Sequence, residues 1–514
     1  MAAASRALDI DTAGIVGAGV MGAGIAEVFA AGGLDVFLVD SEPGKAKSAI
    51  AQIASRQLAR AAAGKADPDT VEKLVARIRP LESLNGLVKA DLVVEAIVER
   101  LEPKQDLVRS LETIVGPQAI IATNTSSLSV TGIAAAAKRP ERVAGYHFFN
   151  PVPAMKLVEI IRAAHTAPEV EDALVKLTGR FGHRAVLAAD TPGFIVNHAG
   201  RAFGTEALAI LREGVASIPE IDAILRDAAG FRMGPFELMD LTGLDVSHPV
   251  MESIYGQFYH DPRYRPSVIA AQRVAAGLLG RKTGRGFYEY EGNRQILPDP
   301  VEQDLEPVAP QTVVVVGDGE DGQMRSLLEA AGHSVTKNPA DAKSGNGLVL
   351  VGLEGEDVAG AVTRRGLSAA SSIGFDPFFG IDRHVTLVTS GATSKEAAAN
   401  ALALLSATGR KATVVGDSCG AICQRTVAMI VNIGCAIVEQ NIASPVDVDA
   451  AVKLGLGYPH GPLEWGDRVG ATRIVRILDA IHDRTRDPRY RASLWLRRRA
   501  ELELTLSESR TGGR

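Results

Sequence analysis

The sequence Ala13-Gly-Ile-Val-Gly-Ala-Gly-Val-Met-Gly22 decides the fold of the first part of the chain. Its apolar beginning predicts a short buried strand, and three glycines then follow the spacing G-x-G-x-x-G that opens a helix. The first glycine permits a tight turn, the second lets the backbone approach a pyrophosphate, and the third lets the helix pack close to the strand. The stretch therefore predicts a dinucleotide-binding turn at a helix N-terminus. The predicted contacts in this turn are Gly17, Gly19, Val20, Met21 and Gly22.

A second apolar strand supports the same fold. The segment Leu34-Asp-Val-Phe-Leu-Val-Asp40 ends in an acid 18 residues after Gly22. A carboxylate at this position can bind both ribose hydroxyls of a dinucleotide and would repel a 2′-phosphate. Asp40 therefore predicts NAD, rather than NADP, as the cofactor.

Strand and helix patterns alternate as far as residue 123. Residues 54–79 are alanine-rich and predict a helix, whereas residues 91–99 and 119–123 predict buried strands. Such an alternation predicts a parallel sheet, and the strand ends at one edge of that sheet line the ligand crevice. Ser126 and Ser127 have a second possible role, because either could cap a helix over residues 128–137. The side chains expected at the crevice are Glu95, Glu99, Asn124, Ser126 and His147.

The segment from Gly145 to Glu159 carries the candidate catalytic pair. It is predicted to form two strands joined by a loop that Pro151 and Pro153 stiffen. Imidazole titrates near neutrality, and a carboxylate within reach can orient it and stabilise its charged form. His147 and Glu159 therefore have the chemistry that proton abstraction requires. A structural histidine and a surface glutamate would give the same residues, and it is the surrounding motifs that favour the catalytic interpretation.

Composition and charge narrow the class of protein. The 514 residues carry a formal net charge of −6 and are 46% hydrophobic, which is typical of a soluble globular chain with about three or four domains. Nothing in this balance indicates nucleic acid, and no apolar run has the length of a membrane span. Three cysteines without zinc-ligand spacing predict a reducing compartment and no metal site. The N-terminus lacks a signal-peptide pattern, so we expect a cytoplasmic protein.

From Asp190 the pattern becomes helical, and then the whole unit repeats. Residues 194–212 predict one long helix, which carries Asn197 toward the cleft. After a proline-rich acidic linker, Val313 to Gly322 again has a strand followed by G-x-G-x-x-G. Later segments echo the first copy in the same order, which predicts a duplication. These segments are Gly374-Phe-Asp376, Asp417-Ser-Cys-Gly, Gly461-Pro-Leu-Glu-Trp-Gly-Asp467 and Asp487-Pro-Arg-Tyr-Arg.

The second copy is predicted to be catalytically inactive. Asp376 stands where the first copy has His147, and Gln424 stands where it has Asn197. The offset between the copies falls from 300 at the glycine turns to 229 at Asp376, so the second dinucleotide module is about 70 residues shorter. Its glycine turn carries acids that would repel a pyrophosphate. We expect a structural remnant whose helical part packs on the first copy. The acids are Asp318, Glu320 and Asp321.

These motifs together resemble the L-3-hydroxyacyl-CoA dehydrogenases over residues 11 to about 290. The resemblance rests on Gly-Ala-Gly-Val-Met-Gly, Val-Glu-Ala-Ile-Val-Glu, Asn-Thr-Ser-Ser-Leu, His-Phe-Phe-Asn-Pro-Val-Pro and Asp190-Thr-Pro-Gly-Phe-Ile-Val-Asn197. In that family a histidine is the general base on the 3-hydroxyl and a glutamate twelve residues later pairs with it, which implies these roles for His147 and Glu159. The family's substrate-oxygen contacts match Ser126 and Asn197.

The resemblance also implies binding residues. Near the family's CoA-contacting helix Ser55 matches, and Lys65 is the nearest replacement for a lysine that relatives carry. The predicted NAD contacts beyond the glycine turn are Asp40, Glu95, Ala96, Glu99, Lys104, Asn124, Ser126, Asn150 and Lys282. The implied reaction is NAD-dependent oxidation of an L-3-hydroxyacyl-CoA, with the acyl chain left open between 3-hydroxybutyryl and 3-hydroxyadipyl.

The predicted architecture is an α/β Rossmann-type domain followed by an all-α C-terminal domain, with this unit duplicated in degenerate form. The predicted segments are 1–188 (NAD-binding), 189–292 (first helical domain), 293–310 (linker), 311–414 (degenerate Rossmann-like module), 415–505 (second helical domain) and 506–514 (a tail, polar and expected to be disordered from Ser507 onward). Because relatives with one helical domain dimerise through it, the internal copy is expected to mimic a dimer partner, and a homo-oligomer stays open. Two other functions also stay open, a dehydrogenase of a small free hydroxy acid or sugar acid and a non-catalytic NAD-binding scaffold.

Overall fold

The computed structural model describes residues 8–292, 294–297, 309, 311–318, 321–344 and 347–508. The chain divides into two compact units. The first consists of Met1–His198 and Gln440–Leu456, and the second consists of Ala199–Glu439 and Gly457–Arg514. A segment from far along the chain thus belongs to the unit that contains the first dinucleotide motif.

The first unit is built on an eight-stranded sheet. Its strands are β1 (Thr12–Val16), β2 (Asp35–Val39), β3 (Ile78–Leu81), β4 (Leu92–Glu95), β5 (Ile120–Thr123), β6 (Val143–Phe148), β7 (Leu157–Arg162) and β8 (Arg184–Ala189). They lie in the order β3-β2-β1-β4-β5-β6-β7-β8, and all neighbours are parallel except β6 and β7. This order, with its reversal at β1, is the doubly wound arrangement that the sequence predicts.

The helices of the first unit alternate with these strands. They are α1 (Val20–Ala31), α2 (Lys45–Ala62), α3 (Pro68–Ala76), α4 (Leu101–Glu112), α5 (Val130–Ala134), α6 (Pro168–Arg180) and the start of α7 (Val196–Ala199). Phe29 of α1 packs against Tyr146 and Phe148 of β6, with ring centroids 6.2 and 6.0 Å apart. Side chains alternate along a strand, so β6 presents His147 on its other face.

Three predicted elements differ from those observed. Residues 54–79 are not one helix, because α2 ends at Ala62 and α3 begins only after Asp67, which accepts a hydrogen bond from Thr70 N–H and so caps it. The predicted strand 91–99 ends at Glu95, where the chain turns into the crevice. The predicted helix 194–212 is divided into α7 and a second helix that begins after Gly200.

The second unit begins with a helical part that ends in a hairpin. Its helices are α8 (Arg201–Arg212), α9 (Ile218–Ala229), α10 (Pro235–Thr242), α11 (Leu244–Gln257) and α12 (Val268–Ala275). The hairpin strands are β9 (Glu289–Glu291) and β10 (Arg294–Ile296). The predicted linker 293–310 therefore begins within a hairpin, and most of that linker lies outside the described residues.

A smaller sheet follows in the second unit. Its strands are β11 (Thr312–Val316), β12 (Ser334–Thr336), β13 (Leu348–Gly352), β14 (Ser372–Phe375), β15 (His384–Thr389) and β16 (Lys411–Gly416). Their order is β12-β11-β13-β14-β15-β16, and only β14 and β15 are antiparallel. Six strands replace the eight of the first sheet, which agrees with the predicted shortening of the repeat.

The remaining helices belong to the second copy of the repeat. They are α13 (Gly322–Ala330), α14 (Val358–Arg365), α15 (Lys395–Ser406), α16 (Cys423–Glu439), α17 (Pro445–Leu456), α18 (Pro462–Val469), α19 (Ala471–Thr485) and α20 (Leu494–Glu501). Short 3-10 turns occur at Leu84–Leu87, Pro140–Arg142, Pro262–Tyr264, Arg281–Thr283, Pro339–Ser344, Ala369–Ser371 and Pro488–Tyr490. Of these helices, only α17 is part of the first unit.

Equivalent acids play the same part in both copies, which supports the duplication. Asp190 accepts hydrogen bonds from the backbone N–H groups of Val130 and Thr131 at the start of α5. Asp417, 227 residues later, accepts two such bonds from the first residues of α14, at 2.8 and 3.1 Å. Both acids satisfy backbone donors that a helix N-terminus leaves without an intrahelical partner.

The second pair of equivalent acids corrects the predicted tail. Asp240 accepts hydrogen bonds from two consecutive backbone N–H groups, those of Phe287 and Tyr288. Asp467 does the same for Leu506 and Ser507. Leu506 is fully buried, so residues 506–508 are anchored rather than disordered, and residues 509–514 lie outside the described part of the chain.

Within the second unit, the helical part of the second copy packs on that of the first, as predicted. Helix α16 lies against α8. Arg425 of α16 is buried and donates a hydrogen bond to Glu206 at 2.9 Å and two to the carboxylate of Glu213, at 2.6 and 2.8 Å. Glu206 also pairs with Arg489 at 3.0 Å, so a network of buried charges connects the helical parts of the two copies.

Candidate active site

The geometry of the site rests on a cross-strand pair. His147 and Glu159 lie directly opposite each other on the antiparallel strands β6 and β7. The Nδ1 atom of His147 is 2.6 Å from Oε2 of Glu159, and the two side chains are 6% and 0% exposed. A carboxylate accepts hydrogen bonds, so this contact assigns the ring hydrogen of His147 to Nδ1. Nε2 is then the nitrogen that can accept a proton.

The other oxygen of Glu159 is also held. Oε1 accepts hydrogen bonds from the backbone N–H groups of Ile195 and Val196, at 3.0 and 2.8 Å. Asn197 follows directly, within α7, and is half-buried. The segment that carries Asn197 is therefore tied to the carboxylate that orients His147.

The serine loop is fixed by another carboxylate. Oε1 of Glu99 accepts hydrogen bonds from Thr125 Oγ1 at 2.6 Å, from Ser126 N–H at 2.9 Å and from Ser127 Oγ at 3.0 Å. Burial pushes the pKa of Glu99 upward, but the charge of Lys104 and the hydrogen bonds of the loop hold the net pKa below its ordinary value. Ser126 thus lies on a loop whose backbone is fixed before any ligand binds. Neither serine caps α5, because Ser129 supplies that cap.

A buried lysine joins two of the predicted cofactor residues. Lys104 Nζ lies 2.9 Å from both oxygens of Glu95 and 3.3 Å from Oε2 of Glu99. Lys104 and Glu95 are buried, and Thr123 also donates a hydrogen bond to Glu95. In this arrangement the two side chains stabilise the crevice wall, and a contact with NAD stays a prediction for both.

Asn124 links the serine loop to the histidine strand. Its Oδ1 accepts a hydrogen bond from the backbone N–H of Phe148 at 2.8 Å. Phe148 is the residue directly after His147, so the end of β5 sets the position of the strand that carries the base. The predicted edge residues Glu95, Glu99, Asn124, Ser126 and His147 are therefore brought together at one end of the sheet.

The glycine turn has the form that a dinucleotide requires. Gly17 has φ +102°, and a Cβ atom there would lie 2.5 Å from the backbone oxygen of Ala96. A Cβ at Gly19 would meet no atom of the described residues within 4 Å, so this side of the turn is open for a ligand. With the open N-terminus of α1, where Val20 is exposed and Met21 half-buried, these residues fit a pyrophosphate.

Asp40 lies beside this turn. Its carboxylate accepts hydrogen bonds from the backbone N–H groups of Ala18 at 2.7 Å and Glu42 at 2.9 Å. Partial burial raises the pKa of Asp40. The two backbone donors and Lys45 lower the pKa by more than burial raises it, so the net pKa lies below the ordinary value. The ionised carboxylate keeps lone pairs for the two ribose hydroxyls, as NAD needs.

A cleft of about 550 Å³ opens from the glycine turn. The start of α1, one face of α2 and the loop from Asn150 to Ala154 line it. Ser55, the predicted CoA contact, is exposed on α2 but is not among the lining residues. Arg56 and Arg60, one helical turn apart, do line the cleft. A spacing of four places two residues on the same face of a helix, so the sequence alone can indicate this pair.

The last predicted cofactor residue lies in the second unit. Lys282 is half-exposed and forms an ion pair with Asp245. Lys282 lies outside the first unit, which contains the glycine turn, and its contact with NAD stays a prediction.

In the second copy, different side chains occupy the positions equivalent to His147, Glu159 and Asn197. Gln424 Nε2 donates hydrogen bonds to Asp376 Oδ1 at 3.0 Å and to the backbone oxygen of Leu353 at 2.8 Å. Gly374 pairs with Val388 across β14 and β15, which places Thr386 opposite Asp376 at the position of Glu159. Asp376 is fully buried, and burial raises its pKa to about 6. Histidine, glutamate and asparagine are thus all replaced.

Two of the acids in the second glycine turn form ion pairs with arginines of the same module. The carboxylate of Asp318 lies 2.8 Å from both Arg364 and Arg365, and Asp321 pairs with Arg325. Glu320 lies outside the described residues. These ion pairs offset the negative charge of the two acids, and the loss of dinucleotide binding in the second copy stays a prediction.

A dinucleotide-binding sheet that carries a buried histidine–glutamate pair beside its crevice defines a nicotinamide-dependent dehydrogenase. Comparison with known families is consistent with this class. The model of the 3-hydroxyacyl-CoA dehydrogenase NAD-binding domain matches residues 12–191. The model of the 3-hydroxyacyl-CoA dehydrogenase C-terminal domain matches residues 193–290 and again residues 420–512. The chain belongs to the 3-hydroxyacyl-CoA dehydrogenase family.

Individual relatives extend the similarity over the whole length. The chain is 37% identical to a 3-hydroxyadipyl-CoA dehydrogenase of Escherichia coli K12, over 96% of this chain and 98% of the relative. It is similar to the crystal structure of a 3-hydroxybutyryl-CoA dehydrogenase from Escherichia coli K12, with a TM-score of 0.85 and 37% identity over 96% of this chain and 99% of that one. A (S)-3-hydroxybutyryl-CoA dehydrogenase from Ralstonia eutropha is 40% identical over 55% of this chain and all of its own, with a TM-score of 0.53.

The described residues contain neither a candidate membrane span nor a candidate metal site. No helix there is long and apolar enough to cross a membrane. No group of three or more His, Cys, Asp or Glu side chains in the same residues has an arrangement that could hold a metal ion.

Proposed function

We propose that this protein oxidises a short-chain L-3-hydroxyacyl-CoA to the 3-ketoacyl-CoA, with His147 as the general base. The observation that carries the proposal is the 2.6 Å contact between His147 Nδ1 and Glu159 Oε2 in a buried site beside the dinucleotide turn. Glu159 fixes the orientation of the ring, so that Nε2 can accept the proton of the 3-hydroxyl group. As that proton arrives, the carboxylate stabilises the imidazolium that forms.

Ser126 and Asn197 are proposed to position the substrate oxygen. The Glu99 network fixes the loop of Ser126, and the two amides bound to Glu159 fix the start of α7, where Asn197 lies. Both side chains therefore belong to segments that are ordered around the catalytic pair. Preorganised hydrogen-bonding groups of this kind contribute by holding the reacting oxygen in a productive geometry.

NAD, when bound, supplies the hydride acceptor. We propose that Gly17, Gly19 and Gly22 hold its pyrophosphate and that Asp40 binds its adenosine ribose. Glu99, Asn124 and Asn150 are proposed to contact the nicotinamide half, with Lys104 and Glu95 as the buried support of that wall. The contacts of Val20, Met21, Ala96 and Lys282 remain part of the same proposal.

The anionic end of the CoA moiety is proposed to lie along α2. Arg56 and Arg60 face the 550 Å³ cleft, and guanidinium groups suit phosphate recognition. Arg56 is already paired with Glu27, so Arg60 is the better candidate for a phosphate contact. Ser55 and Lys65 stay the alternatives that the family resemblance implies.

The proposal is tested by following NAD reduction with L-3-hydroxybutyryl-CoA, L-3-hydroxyadipyl-CoA and free 3-hydroxybutyrate. We expect turnover of at least one CoA ester and none of the free acid, and the ratio of the two esters assigns the acyl chain. His147→Ala should lower kcat by about 10²–10⁴-fold while NAD binding, followed by fluorescence, is kept. Turnover of the free acid alone would favour the hydroxy-acid dehydrogenase, and NAD binding without turnover would favour the scaffold.

The second copy is proposed to replace a dimer partner. Within the first unit, α17 of the second copy packs on β7 and β8. Within the second unit, α9 of the first copy packs on β15. Each sheet is thus covered by a helix from the other copy, as in an exchange between two subunits. We further propose a cytoplasmic location, which the buried thiol of Cys423 supports, since this thiol takes part in no disulfide.

A further inference from the structure

Helix α17 belongs by sequence to the second copy but by contact to the catalytic unit. Ile442, just before the helix, accepts a hydrogen bond from Ala189 N–H at 2.8 Å, and Asp447 pairs with Arg184 at 3.2 Å. Val448 and Val452 of the helix are fully buried. Helix α17 thus lies within the predicted second helical domain, 415–505, and packs on β7 and β8 of the first copy.

The C-terminal end of this helix approaches the catalytic glutamate through a glycine. A Cβ atom built on Gly455 would lie 2.9 and 3.1 Å from the two γ carbons of Val196 and 3.0 Å from a δ carbon of Leu157. Leu157 precedes Glu159 by two residues and so shares its face of β7. Val196 donates its backbone N–H to Glu159 Oε1 at 2.8 Å. A side chain at position 455 would therefore press on Val196, which donates to this carboxylate, and on Leu157, which lies on the same face of β7 as Glu159.

Backbone conformation does not require glycine at this position. Gly455 lies inside α17 and has no positive φ, unlike Gly457 two residues later. A glycine inside a helix lowers helix stability relative to alanine. The close approach to Val196 and Leu157 is the physical reason for glycine here, since a side chain would occupy the space of their methyl groups.

We propose that Gly455 is a positioning residue for the reaction. Through Val196, the second copy sets the place of the Glu159 carboxylate and hence the orientation of His147. The β-branched side chain of Val196 has few rotamers, so a methyl group at position 455 moves the Val196 backbone rather than only its side chain. This inference rests on the proposed function, because it assigns Gly455 to the same base and the same reaction.

The test compares Gly455→Ala, Gly455→Val and the double variant Gly455→Ala/Val196→Ala. A misplacement of about 1 Å can cost about 10²-fold in rate, so we expect kcat to fall roughly 3–10-fold in Gly455→Ala and about 10²-fold in Gly455→Val. The KM for NAD should stay unchanged. The acid limb of the kcat/KM profile should move to lower pH, since Glu159 then stabilises the imidazolium less. Removing the Val196 γ carbons should restore most of kcat in the double variant.

A matched control is Gly179→Ala in α6 of the same unit. Gly179 is also helical, and a Cβ there would meet no atom of the described residues within 4 Å. This variant should keep wild-type kcat and an equal or higher unfolding temperature. Wild-type kcat and pH profile in folded Gly455→Ala would overturn the proposal, as would a loss of kcat that Val196→Ala does not restore. Absence of NAD-dependent turnover in the wild type would instead overturn the proposed function.

Discussion

The carboxylate of Asp376 accepts a hydrogen bond from Gln424 at 3.0 Å, at the two positions where the first copy has His147 and Asn197. Oδ1 of Asp376 also accepts bonds from the backbone N–H groups of Phe378 and Phe379, at 2.9 and 3.2 Å. Oδ2, by contrast, is buried and has no hydrogen-bond partner among the described residues. At these two positions the second copy thus has a buried hydrogen bond between a carboxylate and an amide.

This carboxyl group should make the stability of the protein depend on pH. Burial raises its folded-state pKa to about 6 from the ordinary 3.8, so the folded state binds more protons between these values. The contribution of Asp376 to the free energy of unfolding is therefore fully present below about pH 4. It is lost as pH rises through 6, which lowers the free energy of unfolding by up to about 3 kcal/mol. Asp376→Asn should be more stable than the wild type at pH 8, and the difference should shrink toward pH 4.

Chemical unfolding at several pH values measures this difference. Asp382→Asn serves as the control, because Asp382 lies in the same module with a largely exposed side chain. A stability difference for Asp376→Asn that does not change with pH would contradict the prediction.

Lys104, the buried lysine of the crevice, should stabilise the folded protein even when no NAD is bound. Lys104→Met leaves the carboxylate of Glu95 buried without its cation. Removing one partner of a buried ion pair costs about 3–5 kcal/mol, so the variant should unfold at clearly lower denaturant in the absence of NAD. The double variant Glu95→Gln/Lys104→Met should recover part of this loss.

Lys89→Met is a suitable control for that experiment, because Lys89 is exposed in the same unit. If Lys104→Met kept wild-type stability without NAD and lost only NAD affinity, Lys104 would be a cofactor ligand and not a structural cation.

Substitution of the first two glycines of the turn should have different effects. Gly17→Ala forces a side chain into positive φ and against the Ala96 carbonyl, so the protein without cofactor should lose stability. A Cβ atom at position 19 would meet no atom of the described residues within 4 Å, so Gly19→Ala should be as stable as the wild type without cofactor. Its affinity for NAD should fall, because the second glycine lets the backbone approach the pyrophosphate. Thermal unfolding without NAD, together with an NAD titration of each variant, separates the two. Equal NAD affinity in Gly19→Ala and wild type would contradict the proposed pyrophosphate position.

Removing the second copy should not release an active monomer. A chain that ends at residue 292 lacks α17, so the faces of β7 and β8 that α17 covers become exposed. We expect this truncated chain to aggregate or to associate with itself, since apolar faces of that kind are covered in native proteins. Light scattering and the NAD-reduction assay on the same sample test this. A monomeric and active truncated chain would show that the second copy is dispensable for the catalytic unit.

Much of this protein could be read from local sequence. The strand–glycine–helix pattern around Gly17 and the acid at Asp40 predict the sheet and its cofactor, because these features depend on neighbouring residues and on backbone geometry. His147 and Glu159 are twelve residues apart on two consecutive strands, so their pairing follows from a short hairpin. The order of the repeated motifs likewise predicts the second copy.

Tertiary structure decided what depends on residues far apart in the chain. Arg425 pairs with Glu206, 219 positions earlier in the chain, and Asp447 of α17 pairs with Arg184, 263 positions earlier. The approach of Gly455 to Val196 joins residues more than 250 positions apart, and no local pattern records it. Local periodicity determines which elements form, whereas the packing of α17 on β7 and β8 arises only when this distant helix folds onto the first sheet.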